Sequence, residues 1–345
     1  MNRKMKQPFQ NIVKLRSKTS VWLPVAVGVL LIANVFTFYL YRKEAGYDFS
    51  FKLCEEKYSF INPRFGCGGK HVIDKKGYAE LKSELLSLIE SKKNEGKTGE
   101  VAIFFRDLES GPTLGINDRR DFIPASLLKL PYALAALRLA EEEGPEILKE
   151  KVIYDGDLIY TQVFKPKETI QTGTAYTVDE LIFRSLAYSD NLAGELLFNH
   201  LKKIGGNNVI LEIYRDLGII NPENPVTSAI ISTKGYASIF RQLYNVSFLN
   251  RDSSEKLLSI LAQSNFDNGL TEGVLQDVKV SHKFGERSLE NGEKQLHDCG
   301  IIYYPENPYL LCIMTRGNDF DNLAEIISII SEKFYKEFDS RRIGN

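Results

Sequence analysis

The stretch LHDCGIIYYPENPYLLCIMTRG, residues Leu296–Gly317, carries the clearest fold signal in this sequence. Its two apolar runs, Leu296–Tyr304 and Tyr309–Thr315, are separated only by the residues PENP. Strand-like runs joined by a short turn of proline and asparagine are typical of an antiparallel β-hairpin. The sequence therefore predicts two neighbouring antiparallel strands late in the chain.

Further strands and two terminal helices surround this hairpin. The stretch VKVSHK, Val278–Lys283, alternates apolar and polar residues before Gly285, which indicates a half-buried strand with another group close to its backbone. Residues 100–118, EVAIFFRDLESGPTLGIND, predict two more strands around a Ser-Gly-Pro turn. Apolar residues spaced by three and four predict a helix at each end, over Tyr78–Lys93 and Phe320–Phe338.

Between the early and late strands the pattern is helical. Helices are predicted over Ser126–Glu143, Thr177–Asn199 and Gly205–Leu217, in a run ending at Leu243, and over Ser253–Gln263. Strands near both ends with helices between them do not form a regular β-α-β alternation. The predicted fold is therefore α+β, an α/β sandwich in which one antiparallel sheet is flanked by the N- and C-terminal helices and carries an all-helical subdomain.

The composition excludes some classes of function. The 44 basic and 45 acidic residues nearly balance, so no basic surface for nucleic acid is expected. The histidines have no metal-ligand spacing, and the H-E-x-x-H and C-x-x-C patterns are missing, so we predict neither a metal nor another cofactor. The lack of a G-x-S-x-G motif disfavours an ordinary α/β-hydrolase.

The first part of the chain predicts a membrane anchor. Residues 1–20 contain six basic residues and no acidic one, and residues 21–41, VWLPVAVGVLLIANVFTFYLY, are uncharged. About 20 apolar residues match the thickness of a bilayer, and preceding basic residues favour a cytoplasmic N-terminus. A cleaved signal peptide is the competing interpretation, which the long apolar core and the lack of an A-x-A-like site disfavour.

These features divide the chain into four predicted parts. Residues 1–20 form a cytoplasmic basic tail, residues 21–41 a single transmembrane anchor in the cell membrane, residues 42–74 a juxtamembrane connector, and residues 75–340 an extracytoplasmic folded domain.

Outside the cytoplasm the four cysteines can form disulfides, with three possible connectivities. Cys54 and Cys67 flank a short loop and are the favoured pair. Cys299 and Cys312 lie on the two strands of the predicted hairpin, and we interpret them as buried thiols.

A serine and a lysine mark the start of the apolar segment FIPASLLKLPYALAAL. Ser126 and Lys129 are three positions apart, so on a helix they share a face and can touch. A lysine among apolar residues has a lowered pKa and can act as a base, and backbone N–H groups at a helix N-terminus stabilise an oxyanion. The alternative is structural: a serine N-cap followed by a lysine whose ammonium reaches solvent.

Two later segments can likewise be interpreted either as parts of an active site or as ordinary structural features. In AYSDNLAGELLF, Ser189 and Asn191 can relay a proton and hold a substrate amide, or they can cap the helix that follows. Lys283, two positions before Gly285, can be a solvated lysine on an edge strand or can point into a site.

Taken in order, the three patterns resemble a known family. S-x-x-K, then S-D-N, then K-x-G on a late strand is the signature set of class A β-lactamases and penicillin-binding proteins. The segments FIPASLLKLPYALAAL, YTVDELIFRSLAYSDNLAGELLF and LHDCGIIYYPENPYLLCIMTRG are also similar to class A β-lactamase segments. The resemblance covers residues 75–338 and implies a β-lactamase/transpeptidase-like fold for the catalytic domain.

The resemblance also implies a role for each motif residue. Ser126 would be the acylated nucleophile and Lys129 its activating base. Ser189 would carry the proton to the leaving nitrogen, and Asn191 would bind the amide side chain of the substrate. Lys283 would supply positive potential for the substrate carboxylate.

The strand after the third motif would complete the substrate site. The backbone N–H groups of Ser126 and Glu286 would form the oxyanion hole, with Gly285 beside them. Phe284 replaces the usual Thr or Ser, whose hydroxyl binds the substrate carboxylate in the family. Arg287 is the candidate to bind that carboxylate instead, because a guanidinium matches its geometry.

A second departure concerns deacylation. The family's Glu-x-x-Leu-Asn segment, whose glutamate activates the deacylating water, is missing, and Glu223 is the only acid in the corresponding loop GIINPENPVTS. Glu223 is a candidate for that base, although a surface glutamate in a turn is the more ordinary interpretation. Without such a base the acyl-enzyme should turn over slowly, as in penicillin-binding proteins.

The sequence thus predicts a membrane-anchored, extracytoplasmic serine hydrolase that forms an acyl-enzyme on Ser126 with a β-lactam or a peptidoglycan stem peptide. β-Lactam hydrolysis is the primary prediction. The alternatives are a D,D-carboxypeptidase or transpeptidase with slow deacylation, a penicillin-binding sensor module and an esterase. The short segment before the predicted span is too small for a folded output domain, which disfavours an autonomous sensor.

Overall fold

The computed structural model describes residues 27–37, 58–63, 77–156, 162–206, 208–218 and 230–343. Contacts divide the chain into two units, Met1–Glu56 and Lys57–Asn345, and the first is described only over a helix of residues 27–37 (α1). Within these described ranges, no helix combines the length and the apolar character needed to cross a membrane. Both ends of the predicted anchor, the predicted basic tail and most of the connector lie outside the described residues.

The second unit is built on an antiparallel sheet with the strand order β2-β1-β7-β6-β5. Its strands are Glu100–Asp107 (β1), Thr113–Ile116 (β2), Val280–Ser288 (β5), Lys294–Ile302 (β6) and Tyr309–Gly317 (β7). Two short strands, Lys151–Ile153 (β3) and Ala175–Thr177 (β4), pair separately. The predicted hairpin is β6 and β7, which lie inside the sheet, while β5 forms one edge.

Helices cover both faces of this sheet because the side chains of its strands alternate. On β1, Ile103 and Phe105 enter a core shared with α2 (Ala79–Asn94) and α9 (Phe320–Ile343). Ala102, which directly precedes Ile103 in the chain, enters a different core on the opposite face.

The opposite core is helical. It contains buried residues from α3 (Lys129–Glu143), α4 (Val178–Ala187), α5 (Asn191–Gly205), α6 (Val209–Asp216), α7 (Thr233–Tyr244) and α8 (Arg251–Leu261). The predicted α+β fold is therefore confirmed: an antiparallel sheet lies between the terminal helices on one side and a helical layer on the other.

One predicted helix is divided in two. The apolar periodicity of Thr177–Asn199 predicted a single helix, but the structure has α4, a break and then α5. The break falls at Ser189, whose φ of 53° belongs to the left-handed region and cannot continue a right-handed helix. A hydrophobic pattern that runs through the break does not reveal this backbone conformation.

The prediction for the last two cysteines was wrong. Cys299 and Cys312 are not thiols but form a disulfide. The register of β6 and β7 places them directly opposite each other, so both side chains lie on the same face of the sheet, where both are buried. Cys54 and Cys67, the favoured pair, lie outside the described residues.

Candidate active site

Ser126 lies in a 3₁₀ turn, Ala125–Leu128, directly before α3. The first residue of this turn has a φ of 50°, which is uncommon for a residue with a side chain. Strand β6 holds the chain that leads into the turn. Gln295 Oε1 accepts from the Ile123 N–H at 3.1 Å, and His297 Nε2 donates to the Ile123 carbonyl at 3.0 Å. The position of the serine is thus set by contacts with a strand far along the chain.

Lys129 connects the first motif to the second. Its Nζ donates to Ser126 Oγ at 3.1 Å and to Asn191 Oδ1 at 2.7 Å. It also contacts the carbonyl and hydroxyl oxygens of Ser189. The residue is only 6% exposed, so protein oxygens replace water around the ammonium. The structural alternative, a lysine whose ammonium reaches solvent, does not hold.

Burial gives Lys129 the properties of a base. Loss of solvent lowers the pKa of its ammonium from 10.5 to about 7, although the charges of Asp190 and Glu286 act in the opposite direction. Near neutral pH, a share of the molecules therefore carries a neutral amine beside Ser126 Oγ.

A glycine makes room for this lysine. A Cβ on Gly194 would lie 3.0 Å from Lys129 Cε and 3.2 Å from its Cγ, which is tighter than nearly all real contacts of a Cβ. Gly194 lies in the first turn of α5, three positions after Asn191, so one helix provides both an acceptor and a space for Lys129. No motif points to Gly194, because the local sequence does not show what packs against it.

Ser189 links the second motif to the third. Lys283 Nζ donates to Ser189 Oγ at 2.8 Å, and Lys129 Nζ lies 3.4 Å from the same oxygen. Asp190 holds this connection in place, since its carboxylate accepts from the backbone N–H groups of Leu192 and Ile170. The Ser189 hydroxyl therefore lies between two amines that can exchange a proton with it.

Lys283 is completely buried on the edge strand β5, so the alternative of a solvated edge lysine is wrong. Its Nζ also donates to the Phe284 carbonyl at 2.8 Å. Burial lowers the pKa of Lys283 well below 10.5 and the nearby Lys129 lowers it further, while Asp298 and Glu286 act in the opposite direction.

Gly285 brings strand β5 against the turn that carries the serine. A Cβ at this position would lie 2.9 Å from the Pro124 carbonyl oxygen and 3.2 Å from the Leu127 backbone nitrogen. The sequence pattern had indicated a close approach to this backbone, and the structure identifies the partner. Only a residue without a side chain allows β5 and the Ser126 turn to lie this close.

Phe284 turns away from the helical layer. Its ring is 2% exposed and stacks on Phe266 with centroids 4.2 Å apart, while Phe164 packs edge-on at 5.9 Å. Lys283 Nζ lies 4.4 Å from the centre of the Phe284 ring. The position where the family resemblance implies a hydroxyl is therefore part of an aromatic cluster.

The other candidate residues on this side differ in their surroundings. Glu286 Oε1 accepts from the backbone N–H groups of Val163 and Phe164 at 2.9 and 3.0 Å. Arg287 is exposed. Glu223, the candidate deacylation base, lies outside the described residues.

Gln162 is a further member of the site that no motif indicated. Its Oε1 accepts from the Asn191 N–H at 2.9 Å, and its Nε2 donates to the Ser189 carbonyl at 3.1 Å. The next two residues, Val163 and Phe164, bond to Glu286 on β5. The short segment 162–164 thus connects the S-D-N side of the site to the β5 side.

The sequence model of the β-lactamase enzyme family matches residues 80–338, about three quarters of the chain. The chain belongs to the β-lactamase enzyme family. The VEB-1 β-lactamase of Pseudomonas aeruginosa is 23% identical over 265 residues, which cover 72% of this chain and 87% of that protein.

Solved structures of β-lactamase-like proteins share the fold. The TLA-1 extended-spectrum β-lactamase superposes with a TM-score of 0.64 at 19% identity, covering 76% of this chain and 99% of that one. A PBP-A mutant, solved as an acyl-enzyme complex with penicillin G, superposes with a TM-score of 0.64 at 21% identity, covering 78% and 100%. At these identities the structural likeness concerns the fold alone. Together with the family match, the findings make this protein a β-lactamase-like serine hydrolase.

Proposed function

We propose that this β-lactamase-like protein forms an acyl-enzyme on Ser126 with β-lactams or D-Ala-D-Ala peptides. The observation that carries the proposal is the contact between a buried Lys129 Nζ, whose pKa is lowered to about 7, and Ser126 Oγ at 3.1 Å. An amine that is partly neutral at neutral pH, and that already shares a hydrogen bond with a hydroxyl, is poised to remove its proton.

The proposed acylation uses each motif once. Lys129 takes the proton from Ser126 Oγ as that oxygen attacks the carbonyl carbon, and the backbone N–H groups of Ser126 and Glu286 stabilise the oxyanion. The bond from the carbonyl carbon to nitrogen then breaks, and the nitrogen receives a proton from Ser189. Lys283, 2.8 Å from Ser189 Oγ, and Lys129 can return a proton to that hydroxyl.

Incubation with a labelled penicillin, followed by intact mass, tests this mechanism. We expect one covalent adduct on Ser126 and none with Ser126→Ala. Replacing Lys129 by Met, which keeps most of the packing volume, should slow acylation by about 10²- to 10⁴-fold, the usual contribution of a general base. The absence of any adduct on the unchanged protein would refute the proposal.

The fate of the adduct separates β-lactam hydrolysis from slow turnover. The sequence similarity of this chain to VEB-1 β-lactamase supports hydrolysis of the β-lactam. The missing Glu-x-x-Leu-Asn segment instead supports a D,D-carboxypeptidase or transpeptidase with slow deacylation. After removal of excess penicillin, an adduct that clears within seconds to minutes supports a β-lactamase. An adduct that persists for hours supports the peptidase.

We also propose that residues 21–41 anchor the protein in the cell membrane with the catalytic domain outside the cytoplasm. The uncharged composition of these residues and the basic residues before them support this proposal. Carbonate extraction tests it: the full chain should stay in the membrane pellet, and a chain that begins at residue 42 should appear in the supernatant. Recovery of the full chain in the supernatant would contradict the anchor.

A further inference from the structure

One carboxylate oxygen of Glu286 accepts hydrogen bonds, and the other has no hydrogen-bond partner among the described residues. Oε1 accepts from the Val163 and Phe164 N–H groups, while Oε2 is buried and has no hydrogen-bond partner among the described residues. Its charge influences the pKa of both Lys129 and Lys283, so the carboxylate lies near the two amines of the site. A buried acceptor without a donor is costly, and a ligand that supplies an N–H would remove that cost.

The surroundings of Lys283 are poor for a carboxylate. Two of the three hydrogens on its Nζ are directed to Ser189 Oγ and the Phe284 carbonyl, each at 2.8 Å. The Phe284 ring lies beside the ammonium, where a hydroxyl would have offered another donor. Burial also lowers the pKa of Lys283, because it disfavours the charged form of the amine.

The aromatic cluster keeps Phe284 in this position. Phe266 stacks on its ring, and Phe164 packs edge-on against Phe284, Phe266 and Phe320. Phe164 is itself held through its N–H by Glu286. Phe164 and Phe266 therefore hold the Phe284 ring beside Lys283.

We propose that Glu286 makes the site select acyl donors whose leaving group carries an amide N–H or an ammonium in place of a carboxylate. This inference rests on the proposed function, since it concerns the donor that acylates Ser126, and it makes the carboxylate-bearing β-lactams and D-Ala-D-Ala peptides the slower donors. A leaving group with a carboxylate would approach a second carboxylate with few donors nearby. A leaving group with a carboxamide can donate to Glu286 Oε2 and leave no buried acceptor unpaired.

A pair of thioester donors tests the proposal. Both carry the same N-acyl-D-alanyl group, and their leaving groups are mercaptoacetate and mercaptoacetamide, which differ only in carboxylate against carboxamide. In each case a bond forms between Ser126 Oγ and the acyl carbon, the carbon–sulfur bond breaks, and the thiol leaves with the serine proton. Thiol release gives kcat/KM, intact mass locates the adduct on Ser126, and hydrolysis in buffer alone corrects for intrinsic reactivity.

The expected result is a corrected kcat/KM at least about tenfold higher for the carboxamide donor, because like charges across a binding site are strongly disfavoured. Glu286→Gln keeps an oxygen for the Val163 and Phe164 N–H groups but removes the charge, and it should reduce this preference at least about fivefold. Glu290→Gln removes the same charge at an exposed position just after β5 and should leave the preference unchanged. Urea unfolding checks that both variants are folded.

Other outcomes are distinguishable. Equal or faster acylation of Ser126 by the carboxylate donor would overturn the inference while leaving the proposed function intact. A carboxamide preference that Glu286→Gln does not change would remove Glu286 as its cause and also overturn it. Failure of both donors and of penicillin to modify Ser126 would refute the proposed function, and this inference with it.

Discussion

The ammonium of Lys129 is surrounded by oxygen atoms from two segments of the chain instead of by water. Ser126 Oγ belongs to the turn directly before Lys129. The oxygens of Ser189 and Asn191 come from the end of the connection between α4 and α5 and from the first residue of α5. The lowered pKa of Lys129 follows from this burial, because the protein oxygens compensate only partly for the lost solvent.

The pH dependence of acylation should follow this pKa. Only the neutral amine can accept the serine proton, and the pKa of Lys129 is lowered to about 7, so acylation by penicillin should rise as pH increases through about 7. The measurement is the rate of adduct formation by intact mass between about pH 5 and about pH 9, the range that brackets a base of this kind. A rate that falls or stays constant over this range would mean that Lys129 does not act as the base.

Gly194→Ala should separate stability from activity. The new methyl would lie 3.0 Å from Lys129 Cε, so the lysine must shift from its present contacts, and acylation should fall at least about tenfold. In the same variant α5 gains a better helix former, which should raise the free energy of unfolding by up to about 1 kcal/mol. Penicillin labelling and urea unfolding provide the two measurements.

Gly235→Ala is the matched control, since this glycine also lies in a helix, α7, and its new methyl would meet Ser232 Oγ only at 3.3 Å. It should affect stability slightly and leave penicillin labelling unchanged. Full activity in Gly194→Ala would show that the Lys129 position does not depend on this glycine.

The residues that the sequence could predict are those whose chemistry is unusual at their position. Ser126, Lys129 and Lys283 formed ordered motifs, and the structure brings their side chains together with Ser189 and Asn191. Gly194 and Gln162 could not be predicted in this way. A glycine in a helix and a glutamine in a loop are ordinary locally, and their importance comes from partners on other segments.

Among the elements, the hairpin of β6 and β7 joins the sheet to the site. β6 carries Gln295 and His297, which hold the chain leading to Ser126, and it pairs with β7 on one side and with β5 on the other. Any loosening of the hairpin should therefore affect both the stability of the sheet and the position of Ser126.

Removing the disulfide within this hairpin should cost stability. Cys299 and Cys312 are 13 positions apart, and closing a loop of this length removes chain entropy worth about 2–4 kcal/mol from the unfolded state. The Cys299→Ala, Cys312→Ala double variant should show this loss in urea unfolding relative to the oxidised protein. An unchanged free energy of unfolding, or two alkylated residues 299 and 312 in the unreduced, denatured protein, would contradict the bond.

The type of most elements could be predicted from hydrophobic periodicity, but their junctions could not. The hairpin and the terminal helices follow directly from alternation and spacing. The break at Ser189 and the turn at Ala125–Leu128 depend on backbone angles that tertiary contacts impose. The pairing of Cys299 with Cys312 needed the exact register of two strands, which the turn sequence alone does not define.

On the scale of the whole molecule, the site lies where two cores meet. Ser126, Lys129 and Ser189 come from the helical layer, and Lys283 comes from the sheet that separates this layer from the core of α2 and α9. No single layer contains all of the proposed catalytic groups. The proposed acylation of Ser126 therefore needs both cores in place.

Loss of activity and loss of structure should consequently coincide. In increasing urea, penicillin labelling of Ser126 and the far-ultraviolet circular dichroism of the folded domain should share one midpoint, as expected for a cooperative transition. Labelling that disappears at a clearly lower urea concentration would show that the helical layer separates from the sheet before the domain unfolds.

The burial of Cys299 and Cys312 has a consequence for how their bond can be reduced. Neither residue exposes any surface in the folded domain, so an oxidant or a thiol in solution cannot reach the sulfur atoms once the sheet is covered. The bond is therefore shielded in the folded domain, and a thiol reductant should break it only when the domain opens or unfolds. The rate of its reduction should thus report how often the covered sheet becomes exposed, and it should rise with added urea.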